Sequence, residues 1–75
     1  MNETVNPGTI TIMANGQPRI VKVGSTIADL LQELNIKPIR VVAQLNGVIV
    51  PRSEFNQAVL QQGCKLELVT MVGGG

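Results

Sequence analysis

The chain has 75 residues, six Lys or Arg against five Asp or Glu, a net charge of +1 at pH 7 and no histidine. A domain this small buries only about 60% of the surface its unfolded form exposes, so nearly every apolar residue must serve one core. The balanced charge excludes a basic field for nucleic acid or anionic lipid, and the missing histidine excludes Ser/His and Cys/His pairs and imidazole metal ligands.

Hydrophobic residues make up 44% of the chain, yet Phe55 is its single aromatic. The core must therefore be Val, Ile and Leu, and no aromatic platform remains for stacking bases. One cysteine, Cys64, excludes an internal disulfide and any multi-cysteine metal site. The start, MNETVNPG, lacks the charged-then-apolar pattern of a signal peptide, and no apolar run reaches membrane-spanning length. These features point to a soluble protein of the reducing cytoplasm that is not a self-sufficient enzyme.

Residues 1–8 read as a flexible lead-in broken by Pro7-Gly8. TITIMANGQPRIVKV then reads as a hairpin, with Ile10, Ile12 and Ala14 alternating against Thr9, Thr11 and Met13. Its turn is Asn15-Gly16, because both residues tolerate the positive φ of a type I′ turn. Pro18 is expected to delay pairing, so that the second strand runs over 19–23 with Val21 and Val23 inward. GSTIADLLQELN predicts a helix: Thr26 and Asp29 form a capping box, and Ile27, Leu30, Leu31 and Leu34 make one apolar stripe. Gln32 and Glu33 face water, and Asn35 and Pro38 end the helix.

RVVAQLNGVIVP gives a third strand, a second turn at Asn46-Gly47 and a very short fourth strand stopped by Pro51. SEFNQAVL suggests a helical turn capped by Ser53, and Gly63 turns the chain into KLELVT, with Leu66 and Leu68 inward and Glu67 outward. This order of elements is that of an α+β fold with one main helix on one face of a mixed sheet of four to five strands. The first and last strands pair in parallel at its centre, which is the β-grasp plan. The domain is expected over 9–70, with 71–75 as a flexible tail.

That tail is MVGGG. Glycine loses the most backbone entropy on ordering and packs no side chain, so a run of it is either a frayed linker or a deliberately bare end. Directly after a final strand, the second reading is the stronger one. Residues without Cβ thread a narrow channel, and 71–75 reach on the order of 17 Å when extended. A chain-terminal carboxylate ordinarily titrates at about pH 3.5, so that of Gly75 is ionised and inert to nucleophiles at neutral pH. It needs activation, as a mixed anhydride with AMP on another protein, before it accepts sulfur or forms an amide.

Three stretches, NGVIVPRSEF, QQGCKLELVTMVGGG and GSTIADLLQEL, together resemble the ThiS family, the ubiquitin-like β-grasp sulfur carriers of thiamine biosynthesis. The likeness runs from Thr9 to Gly75. It is most specific from Asn46-Gly47 to Pro51-Arg52 and at Gly74-Gly75. The resemblance implies that an E1-like adenylyltransferase (ThiF-like) activates Gly75 with ATP. A persulfide donor then makes the thiocarboxylate, and a thiazole synthase (ThiG-like) takes the sulfur. The domain itself binds no cofactor and is a monomer when free. The family usually carries Asp where this chain has Cys64 and often Trp where it has Phe55. Both positions bear on local stability rather than on the reacting end.

The remaining candidates follow from position. Gly75 is the modified residue, and Gly73 and Gly74 thread. Val69, Met71 and Val72 are partner contacts, with Val69 and Met71 expected beside Thr11 and Met13 on the outer face. Arg52 is an ordinary solvated charge, with contact to an acidic partner as its functional alternative. Cys64 reads as a semi-exposed turn residue without sulfur-transfer chemistry, and Asp29 and Glu33 as a cap and a surface charge. The small subunit of molybdopterin synthase shares fold and tail, but its tail is usually proline-rich where this chain has LVTMVGGG. A lysine-conjugating modifier shares the activation chemistry. Outside the carrier class stands a β-grasp module that only docks a partner.

Overall fold

The computed structural model describes residues 8–71; residues 1–7 of the lead-in and the tail residues Val72, Gly73, Gly74 and Gly75 lie outside the described residues. The elements are β1 (Thr9–Ala14), β2 (Gln17–Lys22), α1 (Ile27–Glu33), β3 (Val41–Leu45), β4 (Val48–Val50) and β5 (Lys65–Thr70). Short 3-10 turns stand at Pro38–Arg40 and Arg52–Glu54. One mixed sheet has the order β2-β1-β5-β3-β4, with β1 and β5 parallel and the other neighbours antiparallel. The last strand is therefore the middle one.

Both hairpins close as the Asn-Gly pairs require. Asn15 and Gly16 have φ of 52° and 81°, and Asn46 and Gly47 have 51° and 86°, positive at both centres of each turn. Pro18 does not delay pairing: β2 begins at Gln17, and Pro18 lies opposite Met13. Ala14 and Gln17 close the turn and the Val23 N–H donates to the Gly8 carbonyl (3.0 Å). Alternation then puts Pro18 in a non-hydrogen-bonded pair, where an edge strand has no use for its missing N–H.

Of the two inward residues expected on β2, Val21 is buried but Val23 is 57% exposed. The reason is local. β2 ends at Lys22, Gly24 turns at φ 88°, and the Ser25 N–H bonds the Lys22 carbonyl, carrying Val23 off the core face.

Helix α1 has seven residues, too few to hold itself together without packing and caps. Thr26 Oγ1 accepts from the Asp29 N–H (3.1 Å), and Asp29 Oδ2 accepts from the Thr26 N–H (3.0 Å), the reciprocal pair read from the sequence. The next free amides are covered from outside the helix: Ile27 N–H donates to the Ala58 carbonyl and Ala28 N–H to that of Phe55. At the other end Asn35 takes φ 63°. Its N–H donates to the Gln32 carbonyl and that of Ile36 to Leu31, a Schellman cap with Asn in glycine's place.

The core joins Ile12, Val21, Val41, Ala43, Leu66 and Leu68 of the sheet to Ile27, Leu30 and Leu31 of the helix. Phe55, Leu60 and Cys64 complete it from the connecting segments. Each large side chain here contributes roughly 1.5–3 kcal/mol by leaving water. Ser53 does not cap the turn that carries Phe55. It sits inside the 3-10 turn, which follows Pro51 with no side-chain cap bond, since the proline at φ −59° already sets the entry angle.

Candidate functional site: the outgoing end of β5

Strand β5 leads to the candidate tail, so its support decides how that tail is presented. On one side it is paired with β1 only briefly, Met13 opposite Lys65 and Ala14 opposite Leu66. There the Met13 N–H donates to the Cys64 carbonyl and the Asn15 N–H to that of Leu66, both at 2.9 Å. β1 then turns back, and β5 continues on that side without a neighbouring backbone among the described residues.

The side chain of Asn15 takes over the ladder. Its Oδ1 accepts from the Leu68 N–H (2.7 Å), and its Nδ2 donates to the Leu68 carbonyl (3.1 Å). On the other side Asn46 does the same at the strand's start: Oδ1 accepts from the Lys65 N–H (2.9 Å), while its own N–H donates to the Lys65 carbonyl (2.7 Å). Each Asn-Gly turn thus supplies a hairpin and one clamp on the central strand. From there β3 pairs with β5 throughout, and beyond its last residue the Met71 N–H still donates to the Arg40 carbonyl (2.7 Å).

Leu66 and Leu68 face the core, as expected, so Lys65, Glu67 and Val69 stand on the outer face. Charge therefore comes first along the strand, and apolar surface comes next to the exit. Val42 stands directly opposite Val69, with Ile49 diagonal to Val42 across β3 and β4. Together with Met71 they form an apolar patch, Val69 being 61% and Met71 48% exposed.

This neighbourhood corrects one expectation. Val69 and Met71 do not lie beside Thr11 and Met13, because the parallel register puts Met13 opposite Lys65. Val69 is four residues further on, about 13 Å along the strand. The patch belongs to β3, β4 and β5, and Val42 and Ile49 are its members that sequence reasoning missed, as it missed the Arg40 carbonyl that holds Met71. The alternation of VVAQL opposite KLELVT held the signal for Val42; for Arg40 the sequence held none.

Arg52 is exposed and follows β4, which runs in the direction of β5. It stands at the same end of the sheet, two strand positions from β5, or about 10 Å. Cys64 is not semi-exposed but buried, at 6%. Its carbonyl already pairs with β1, so the inward alternation of Leu68 and Leu66 extends back to it. Asp29 is occupied as the helix cap, and Glu33 is exposed on α1. Among the described residues, no three His, Cys, Asp or Glu side chains come together as metal ligands, and no helix is long and apolar enough to cross a membrane.

A mixed sheet around a central parallel β1–β5 pair, with one helix packed across it, is the β-grasp architecture of the ubiquitin-like proteins. The crystal structure of thiamine biosynthesis protein ThiS from Geobacter metallireducens superposes with a TM-score of 0.74 at 26% identity, over 88% of this chain and all of that one. The ThiS family model matches residues 12–75, and the chain belongs to that family. The sulfur carrier protein ThiS of Escherichia coli is 30% identical over 64 residues, 85% of this chain and 97% of that protein. A thiazole synthase of Paramagnetospirillum magneticum is 36% identical over 64 residues, and there the match spans only 20% of the longer protein.

Proposed function

We propose that this protein is a sulfur carrier of thiamine biosynthesis, with Gly75 as the residue that is charged and 71–75 as the reactive tail of a domain over 9–70. An E1-like activating enzyme joins the Gly75 carboxylate to AMP from ATP, releasing pyrophosphate. Sulfur from a persulfide displaces AMP, and thiol reduction of the acyl disulfide leaves the thiocarboxylate. A thiazole synthase then takes the sulfur. The carrier contributes no catalytic group; it contributes an unhindered carbonyl, glycines at 73 and 74 that fit a narrow channel, and a surface for docking.

The observation that carries this reading is the support of β5. It is the central strand, and its ladder reaches Met71 beside the Val42–Val69 patch. Four residues can extend at most about 14 Å from that fixed point, so a partner that receives Gly75 must also meet the patch. The family match through Gly75 supports the same assignment. A thiazole synthase with a segment resembling this chain supports that enzyme as the recipient. In this reading the free protein is a cytoplasmic monomer.

The test is the intact mass after incubation with ATP, a cognate activating enzyme and a persulfide donor. One oxygen replaced by sulfur at the Gly75 carboxyl is the expected result, and Gly75→Ala is expected to slow charging sharply. An unchanged mass beside a demonstrably active enzyme would leave a β-grasp module that only docks a partner.

A further inference from the structure

The two Asn-Gly turns share a backbone conformation but differ in how their side chains are held. In both, the glycine nitrogen carries no bulky neighbour and can attack the preceding side-chain amide. Attack of the Gly47 nitrogen on Asn46 Cγ forms a succinimide and expels ammonia. Water then opens the ring to Asp or isoAsp, so that the net change is amide plus water to carboxylate plus ammonium. For the ring to close, the side chain must leave its hydrogen bonds and swing onto the following peptide.

Asn15 resists this at both ends of its amide. Its Oδ1 accepts from the Leu68 N–H and its Nδ2, the leaving nitrogen, donates to the Leu68 carbonyl, in a part-buried setting. Asn46 is held only through Oδ1, by the exposed Lys65 N–H, and its Nδ2 has no hydrogen-bond partner among the described residues. We propose that Asn46-Gly47 is a site of spontaneous deamidation in the folded protein, and that the clamp on Leu68 protects Asn15-Gly16.

The products differ as well. Opening to Asp at Asn46 keeps the acceptor that the Lys65 N–H needs. A carboxylate at Asn15 would set an oxygen against the Leu68 carbonyl, where a donor now stands. Conversion at Asn46 also takes the formal net charge from +1 to zero, which favours self-association.

The experiment follows both sites by peptide mass mapping while the full-length protein is held at mildly alkaline pH and 37 °C, folded and in concentrated urea. In urea the two sites are expected to react at similar rates. In the folded protein Asn46 is expected to convert about fivefold faster than Asn15, the effect of one additional hydrogen bond. A faint acidic band on isoelectric focusing should grow in step. Equal rates in the folded chain, faster loss at Asn15, or an inert Asn46 while the unfolded chain converts would each overturn the proposal. Asn15→Gly, which removes the clamp and its own reactive amide, is expected to leave the Asn46 rate unchanged; acceleration there would show that global opening sets it, and would also overturn the proposal.

Discussion

Asn15 and Asn46 each bend a hairpin and clamp a strand, and the two tasks can be separated by substitution. Glycine keeps the positive φ and removes only the side chain. Asn15→Gly leaves both the N–H and the carbonyl of Leu68 without their partner, at a cost of about 1–3 kcal/mol. Asn46→Gly frees only the Lys65 N–H, which is exposed, and is expected to cost about 1 kcal/mol or less. Urea unfolding of both variants, at unchanged denaturant slope, measures the difference; equal losses would mean that the Leu68 clamp adds nothing. The turns were legible because a dipeptide fixes them locally. The clamps were not, since Asn15 and Leu68 are 53 residues apart and only the folded register brings them together. Burial of Cys64 escaped for the same reason: the turn signal of Gly63 was read, but not the pairing with β1 that precedes the strand.

Helix α1 depends on its packing and its caps in different amounts. Leu31, 1% exposed, lies between helix and sheet, and Leu31→Ala is expected to cost roughly 2–5 kcal/mol through the cavity it leaves. Thr26→Ala removes half of the capping box and is expected to cost about 1 kcal/mol. Thermal or urea midpoints rank the two, and a cap worth as much as the core leucine would contradict a helix held mainly by its buried face. The stripe at Ile27, Leu30 and Leu31 was legible because helical spacing alone selects it. Strand β2 was less so. Ile20-Val21 fits either face, Pro18 is an obstacle only when its place in the ladder is unknown, and Val23 is excluded from the core by a turn at Gly24 that no periodicity contains.

For the molecule as a whole, element order was enough to give the β-grasp plan, because a hairpin, a crossing helix and a late central strand have few other arrangements. It did not give the stagger between β1 and β5, which moves the apolar patch from one half of the sheet to the other. That stagger makes a prediction. If the proposed function holds, Val42→Asp and Val69→Asp, both on the outer face, are expected to leave the unfolding midpoint nearly unchanged while weakening binding to the proposed activating enzyme by about 1 kcal/mol or more each. Thr11→Asp, on the same face but beside β2, is expected to bind as wild type. A reversal of that order in a titration would return the docking surface to β1.

The central place of β5 also has a mechanical consequence. Traction on residues beyond Met71 runs along the strand, at right angles to the bonds that tie it to β3. Those bonds share the load and must fail together, whereas bonds of an outermost strand peeled sideways would fail one after another. Asn15, gripping Leu68 from the opposite flank, adds a second anchor behind the point of pull. In the proposed function, an activating enzyme would therefore draw on the end of the chain, or detach from it, while the domain behind keeps its shape as a handle.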